Sequence, residues 1–334
     1  MKNRALTSVK RKRTAMLKLD GLKPFYRTGL GQAFLGDALD VMKAIPTESV
    51  NLILTSPPFA LQRKKDYGNE EADRYVSWFL QFAHDFRRIL RPDGSLVIDI
   101  GGSWNKGSPT RSLYHFELLV ALHRKGQFHL AQEFFWWNRA KLPSPAEWVT
   151  VRRLRVKDAV NCVWWLSKTE NPKADNRKIL QPYSDSMKLL LKNGYKAKLR
   201  PSGWDISTKF QKDNNGAIPP NIIEISNTDS NSHYLRRCRE KEIKPHPARF
   251  PVQLPELFMK FLTDENDVVL DPFAGSNVTG AVAERLRRRW LAIELEKNYL
   301  ESSRFRFEAA AQQVPRRATS KGAKPANQAA LSLF

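Results

Sequence analysis

Four consecutive residues, Ser56, Pro57, Pro58 and Phe59, have the types and spacing to hold an amine. They close an apolar run, Val50, Asn51, Leu52, Ile53, Leu54 and Thr55. Proline has no N–H for a sheet ladder, and each proline biases the residue before it away from helix. The run is therefore expected to be a strand that stops near Thr55 and passes into a stiff, extended loop. Such a loop fixes its carbonyls and the Ser56 hydroxyl in space, with the Phe59 ring beside them. It offers acceptors for N–H bonds and a ring to stack on a flat ligand that carries an amino group. Taken alone, the same four residues also suit a rigid turn whose Phe59 packs into the core.

A second unit lies far along the chain. Val268, Val269, Leu270 and Asp271 read as a buried strand, Pro272 to Ser276 as a tight turn containing Gly275, and a helix is expected to begin near Asn277. This is a small-ligand cradle at the carboxyl end of a parallel strand. Glu294 ends the next strand, where a carboxylate can accept hydrogen bonds from both hydroxyls of a ribose. The glycine fingerprint of pyrophosphate binders is missing. The stretch from Gly102 to Ser108 fails as a phosphate loop, because Ser108 stands where lysine is needed. A nucleoside without a pyrophosphate, such as S-adenosylmethionine, fits better; an ordinary strand–helix–strand crossover is the alternative. His246, between two prolines, reads as a structural hydrogen-bonding residue, and Trp136, Trp137, Trp164 and Trp165 as mainly core or sheet residues.

To bring residues 56–59 beside 271–276, the chain must alternate strands and helices. Leu39, Val41, Met42 and Ile45 mark an amphipathic stretch after Asp37. Val76, Phe79, Phe82, Ala83, Phe86 and Leu90 mark one buried helix face, which Arg91-Pro92-Asp93-Gly94 is expected to end as a turn. Residues 95–100 read as another buried strand, 113–122 as a helix, and 134–137 and 160–166 as strands. Leu254, Leu257, Phe258 and Phe261 give a further helix face, and after the 268–271 strand come a helix to Arg289 and a strand over 290–295. This alternation predicts an α/β fold with a mainly parallel sheet. Residues 169–244 break the pattern with 15 Lys and Arg against 9 Asp and Glu, and read as an inserted, irregular, basic module.

With 334 residues, 41% of them hydrophobic, the chain can bury a substantial core. Lys and Arg number 56 and Asp and Glu 34, a net charge of +22. An excess of that size speaks of partners, and phosphates of nucleic acid are the leading ones. No apolar run approaches ~18 residues, so no membrane span is expected, and the protein is read as soluble and cytoplasmic. Two cysteines outside any paired motif and six scattered histidines give neither a disulfide framework nor a zinc site, so no metal is expected.

Taken together, the two units resemble the amino-group DNA methyltransferases. Thr-Ser-Pro-Pro-Phe is similar to that family's catalytic motif, and Asp-Pro-Phe-Ala-Gly-Ser to its cofactor motif. Their order, catalytic motif first, is the permuted order of the β group. The resemblance runs from about Gly36 to Phe305, and residues 94–102, 140–144, 157–169 and 246–251 resemble N4-cytosine enzymes of restriction-modification systems. It implies a Rossmann-like methyltransferase sheet with an inserted target-recognition region. The implied division is a basic mobile arm (1–20), a catalytic half (21–168), the target-recognition region (169–244), a cofactor-binding half (245–314) and a disordered tail (315–334). The resemblance makes S-adenosyl-L-methionine the cofactor, duplex DNA the substrate, and a restriction endonuclease a functional partner in a bacterial or archaeal nucleoid.

Site residues follow by position. Ser56, Pro57, Pro58 and Phe59 are the implied catalytic loop. Asp271, Phe273, Gly275 and Ser276 face the methionine part, Glu294 the ribose, and Asp37 the adenine. Asn277 replaces the last glycine of the usual cofactor motif and is expected to give a modified turn. Arg63, Lys64, Lys65, Lys173, Arg177, Lys188 and Lys192 are the expected DNA contacts. The implied reaction is direct methyl transfer to an exocyclic amine of a flipped-out base, N4 of cytosine, with N6 of adenine as the alternative and a non-catalytic DNA-binding protein as the rival class. It needs no strong general base, and none is named.

Overall fold

Apolar runs bounded by proline, glycine and aspartate form strands here, and the amphipathic runs between them form helices. The computed structural model describes residues 17–60, 70–194, 201, 203, 211–227, 232–249 and 251–312. Arg63, Lys64, Lys65, most of the expected arm and the expected tail lie outside them. In chain order the strands are β1 (Tyr26–Arg27), β2 (Gly31–Leu35), β3 (Val50–Thr55), β4 (Leu90–Ile100), β5 (His129–Trp137), β6 (Val160–Ser167), β7 (Ile222–Glu224), β8 (Val268–Asp271) and β9 (Arg289–Glu294). The α-helices are α1 (Ala38–Lys43), α2 (Ala72–Ile89), α3 (Tyr114–Arg124), α4 (Asp185–Asn193), α5 (His233–Glu240), α6 (Gln253–Leu262), α7 (Val278–Arg285), α8 (Lys297–Ser303) and α9 (Phe305–Gln312).

Among the described residues one sheet forms, in the order β1-β2-β9-β8-β3-β4-β6-β5-β7. From β2 to β4 every neighbour is parallel. Strand β6 runs antiparallel to both β4 and β5, and β7 is parallel to β5. Side chains alternate across the sheet with period two. Ile53, Leu96, Ile98, Leu270 and Ile293 pack on one face with α1, α2 and α3. Leu52, Leu54, Val97, Val163, Val269 and Ala292 pack on the other with α6 and α7. The expected face of α2 is the buried one, Phe79, Phe82, Ala83 and Phe86 among it.

Three local expectations differ from the structure. Arg91–Gly94 is a bulge inside β4: Val50 pairs with Leu90 but Leu52 with Ser95. The carbonyls this bulge turns outward are used, since Pro92 accepts from the Thr169 hydroxyl (2.9 Å) and Asp93 from the Lys173 N–H (2.9 Å). The helix expected to reach Arg289 stops at Arg285, with Leu286 closing it. The module expected to be irregular contains regular structure: β7 joins the main sheet, and α4 and α5 are helices. Tyr234 and Cys238 of α5 are buried against Phe305 of α9.

Strand direction decides where the inserted segment starts. Because β6 runs against β4, Ser167 lies beside Ser95, at the amino end of the parallel strands. The Asp175 N–H then bonds to the Phe261 carbonyl (2.9 Å), and Lys173 reaches Asp264 and Asp267, just ahead of β8. Residues 168–178 thus run along the edge of the sheet opposite the Ser56 loop.

Candidate active site

Parallel strands carry their carboxyl ends to one edge, and crevices form there. In spatial order, β2 delivers Asp37, β9 Glu294, β8 the turn from Phe273 to Ser276, β3 the loop from Ser56 to Phe59, and β4 Asp99. Strand β6 adds Asn161 near its start, β5 adds Trp136 with Asn138 and Lys141 beyond it, and Asn227 follows β7. All of these line one cavity of about 510 Å³. Ser56 and its neighbours sit in the middle of the row, with the glycine turn and two carboxylates on one side and an Asn-rich wall on the other.

The loop of residues 56–59 lines the cavity, and its polarity is set by Asp99, which lies in the 94–102 stretch of the resemblance but carries no role from it. Ser56 Oγ donates to Asp99 Oδ2 at 3.0 Å, and Asn161 Nδ2 donates to Asp99 Oδ1 at 3.1 Å. With its proton committed to the carboxylate, the Ser56 oxygen has its lone pairs left to accept. Asp99 is buried, and burial pushes its pKa up to about 6 against the hydrogen bonds from Asn161 and Ser56 and the charge of Lys141. Phe59 lies against the backbone of Gly101, so close that a Cβ there would be 2.6 Å from the ring. The ring lines the cavity with one side braced by glycine.

On the other side the cofactor-motif residues divide into two groups. Phe273, Gly275, Ser276 and Glu294 line the cavity. Glu294 accepts from the Gly275 N–H at 2.6 Å and the Glu296 N–H at 2.8 Å, and burial raises its pKa. Gly275 is left-handed at φ 51°, with the His246 ring 3.1 Å from where its Cβ would be. His246 also lines the cavity; its Nδ1 bonds to the Ala248 carbonyl and its ring packs on Tyr299. Burial lowers its pKa to about 4. Ser276 is held by Arg306, which donates to its carbonyl (2.6 Å) and its hydroxyl (2.8 Å). Asp37 lines the far end of the cavity and caps α1 by accepting from the Leu39 N–H at 2.7 Å.

Asp271 and Asn277 do not line the cavity, contrary to expectation. Asp271 is 2% exposed and its oxygens are taken by the Thr55 hydroxyl (2.7 Å), the Thr279 hydroxyl (2.6 Å) and the Phe273 N–H (3.1 Å). It ties the strand of the Ser56 loop to the glycine turn from behind, and burial pushes its pKa up to about 6. Asn277 adopts the left-handed conformation a glycine would, at φ 53°, and caps α7 through Gly280 N–H (2.9 Å). Its amide also donates to Tyr26 Oη (2.9 Å), so the modified turn is intact and its side chain points inward.

The expected DNA contacts fare differently. Lys173 is committed to Asp264 (2.8 Å) and Asp267 (2.7 Å), at the wrong edge of the sheet for this cavity. Arg177 pairs with Asp175 and Lys188 with Asp185, both neighbours in sequence. Lys192 lies in the last turn of α4, a helix with no buried residue. A basic segment does stand at the cavity edge, residues 138–159 between β5 and β6, carrying Arg139, Lys141, Arg152, Arg153, Arg155 and Lys157. In it Leu142 and Val156 are 79% and 86% exposed. Composition alone directed attention to residues 169–244; only the antiparallel course of β6 shows which basic segment meets the cavity.

The sheet, with its crevice at the carboxyl ends of the parallel strands, is the Rossmann-like fold of methyltransferases. The chain belongs to the DNA methylase family, whose model matches residues 50–305. It is 53% identical over 290 residues to the type II methyltransferase M.PvuII of Proteus hauseri, an alignment covering 86% of each chain. The solved structure of the PvuII DNA methyltransferase (cytosine-N4-specific) superposes with a TM-score of 0.71 at 45% identity, covering 90% of this chain and 92% of that one. A Thermus thermophilus protein solved with S-adenosyl-L-methionine shares the fold, with a TM-score of 0.52 at 22% identity over 85% of this chain and 94% of that one. Among the described residues no helix is long and apolar enough to cross a membrane, and no cluster of His, Cys, Asp and Glu could hold a metal.

Proposed function

We propose that the protein transfers the methyl group of S-adenosylmethionine to N4 of a flipped-out cytosine in duplex DNA, as the modification enzyme of a restriction-modification system. The observation that carries this reading is the hydrogen bond from Ser56 to Asp99. An exocyclic amine is a poor nucleophile because its lone pair is delocalised into the ring. Two acceptors, Ser56 Oγ and the Pro57 carbonyl, take its two hydrogens and draw the nitrogen towards a pyramidal geometry. Alignment and fixed dipoles carry most of the rate. S-adenosylmethionine, when bound, supplies the electrophilic methyl. Glu294, Asp37 and the turn from Phe273 to Ser276 are the residues that fit its nucleoside and methionine parts.

The methylated amine must shed one proton. Ser56 accepts it while passing its own to Asp99, whose pKa of about 6 suits it as the base at neutral pH. The flipped base stacks on Phe59, which the Gly101 backbone braces from behind. Within the proposed target-recognition region 169–244, the stretch about Lys173 is structural. Sequence reading falls to the remainder, joined by the basic residues of 138–159. The activity belongs where the DNA is, in the cytoplasm of its host. Nuclease digestion and mass spectrometry of DNA from an expressing host test the assignment: N4-methylcytosine is expected, and N6-methyladenine as sole product refutes it.

A further inference from the structure

The wall beyond Asp99 holds a cation, Lys141, whose charge favours ionised Asp99 but whose hydrogen-bond donors the reaction as derived does not use. We propose that Lys141 reads the flipped base by donating a hydrogen bond to its 2-carbonyl, and so separates cytosine from adenine. This inference rests on the N4-cytosine reading above.

With its amine at Ser56 and Pro57 and the methyl donor on the side of the Gly275 turn, the base in this proposal turns the rest of its pairing edge to the β4–β6–β5 side of the cavity. In cytosine that edge continues as a ring nitrogen acceptor and then a carbonyl acceptor. In adenine it continues as a ring nitrogen and then a C–H. A donor at the third position therefore tells the two apart. Other donors in this wall are committed in whole or in part, the indole giving its one hydrogen and each amide one of its two. Asn161 Nδ2 is on Asp99 (3.1 Å), Trp136 Nε1 on the Ile225 carbonyl (2.9 Å), and Asn227 Nδ2 on the Arg249 carbonyl (2.7 Å). The Lys141 ammonium, by contrast, makes no hydrogen bond or ion pair with any described residue. Asp158, the acid in reach of it besides Asp99, already has Arg111 at 2.6 Å and Arg155 at 3.0 Å.

The stem of Lys141 is nevertheless fixed. Its N–H bonds to the Asn138 carbonyl (3.2 Å), and its own carbonyl accepts from Lys157 Nζ (3.1 Å). Burial lowers the pKa of the ammonium, the sign of a cation short of solvation, while Asp158 and Asp99 favour its charge. A carbonyl acceptor restores what burial removed, and a charge-assisted bond is the strong kind. Asn138 Nδ2 is the neutral competitor for the same role.

A cycle of enzyme and substrate changes decides the matter. Methylation is measured on duplexes carrying cytosine or 2-thiocytosine at the mapped target, with wild type, Lys141→Met and Asn138→Ala. Sulfur is a poor acceptor, so it should slow the wild type by about 10–100-fold, and Lys141→Met by less than about threefold. Lys141→Met should also narrow the preference for cytosine over adenine at that position, with S-adenosylmethionine affinity unchanged. Equal sulfur penalties in wild type and Lys141→Met, or loss of the penalty in Asn138→Ala alone, overturn the role of Lys141 while leaving N4-cytosine chemistry standing. A wild type whose product is N6-methyladenine overturns both. Should Lys141→Met not fold, Lys141→Leu, which also lacks a donor, carries the same comparison.

Discussion

Replacing Asp99 by asparagine should make the protein more stable and much less active. Burial raises the Asp99 pKa from its ordinary 3.8 to about 6, so the fold favours the protonated acid. Below about pH 4 the carboxyl is neutral in folded and unfolded chains alike, and this group costs nothing. As pH rises towards 6 the unfolded chain ionises first, and stability falls; above 6 the loss is complete. About two pH units correspond to ~3 kcal/mol. Asparagine removes that loss, but Ser56 and Asn161 both donate to the carboxyl and an amide has one acceptor oxygen, so one of the two bonds is forfeited, ~1–2 kcal/mol. The net expectation at pH 7.5 is a gain of ~1–2 kcal/mol, shrinking to nothing or reversing by pH 5.

Activity should move the other way. If the new amide nitrogen faces Ser56, the serine must accept from it and turn its own proton into the cavity, against the amine it should receive. If instead the amide oxygen faces Ser56, the geometry survives but the base is gone. Either way turnover should fall by ~10²–10⁴-fold with cofactor affinity intact. Wild-type turnover should rise with pH through about 6, since the ionised carboxylate is the working form. Thermal melts of both proteins from pH 5 to 8, beside single-turnover methylation and calorimetry with S-adenosylmethionine, give all of these quantities. A stability difference independent of pH, or a variant within threefold of wild-type turnover, refutes the reasoning.

Two other site substitutions should split binding from chemistry. Ser56→Ala should lower turnover by ~10–1000-fold while calorimetry finds cofactor affinity nearly unchanged. Glu294→Ala should weaken cofactor binding by ~1.5–3 kcal/mol, and an unchanged affinity would place the ribose elsewhere. Lys173→Ala should leave DNA affinity within about twofold and lower stability by ~0.5–2 kcal/mol, because its ion pairs with Asp264 and Asp267 are part-exposed. Removing Arg152 and Arg153 together should instead flatten the salt dependence of DNA binding by about one unit of log–log slope for each phosphate no longer neutralised. An unchanged slope would move the DNA off the 138–159 segment.

What could be read in the sequence was whatever is local. Pro57 and Pro58 announce the end of β3 without help from the rest of the chain. The left-handed turn at Asn277 follows from an asparagine standing where a glycine is usual. Asp99 was not legible, because nothing in Ser95–Ile100 distinguishes a carboxylate facing a serine from one facing solvent; β3 pairing with β4 makes that choice. Asp271 was legible as important but not in its role, since its partners Thr55 and Thr279 lie on either side of it in space, and one of them is 216 residues away. Lys173 was misjudged because net charge along a chain carries no information about which edge of a sheet receives it.

The strand order explains why the cofactor motif can stand last in the chain. Strands β8 and β9 arrive after all others, yet they sit between β2 and β3. They bring Glu294 next to Asp37, and the Gly275 turn next to Ser56. Chemistry at this edge needs only that neighbouring strand ends carry, in turn, ribose acceptors, the methionine turn, the amine clamp, its base and the wall that reads the target. Parallel pairing meets that need whichever strand is made first, because the strands are held by their ladders and by helices packed on the two faces of the sheet. Chain order is then free, and spatial adjacency, enforced from behind by the Thr55–Asp271–Thr279 bonds, is what the reaction depends on.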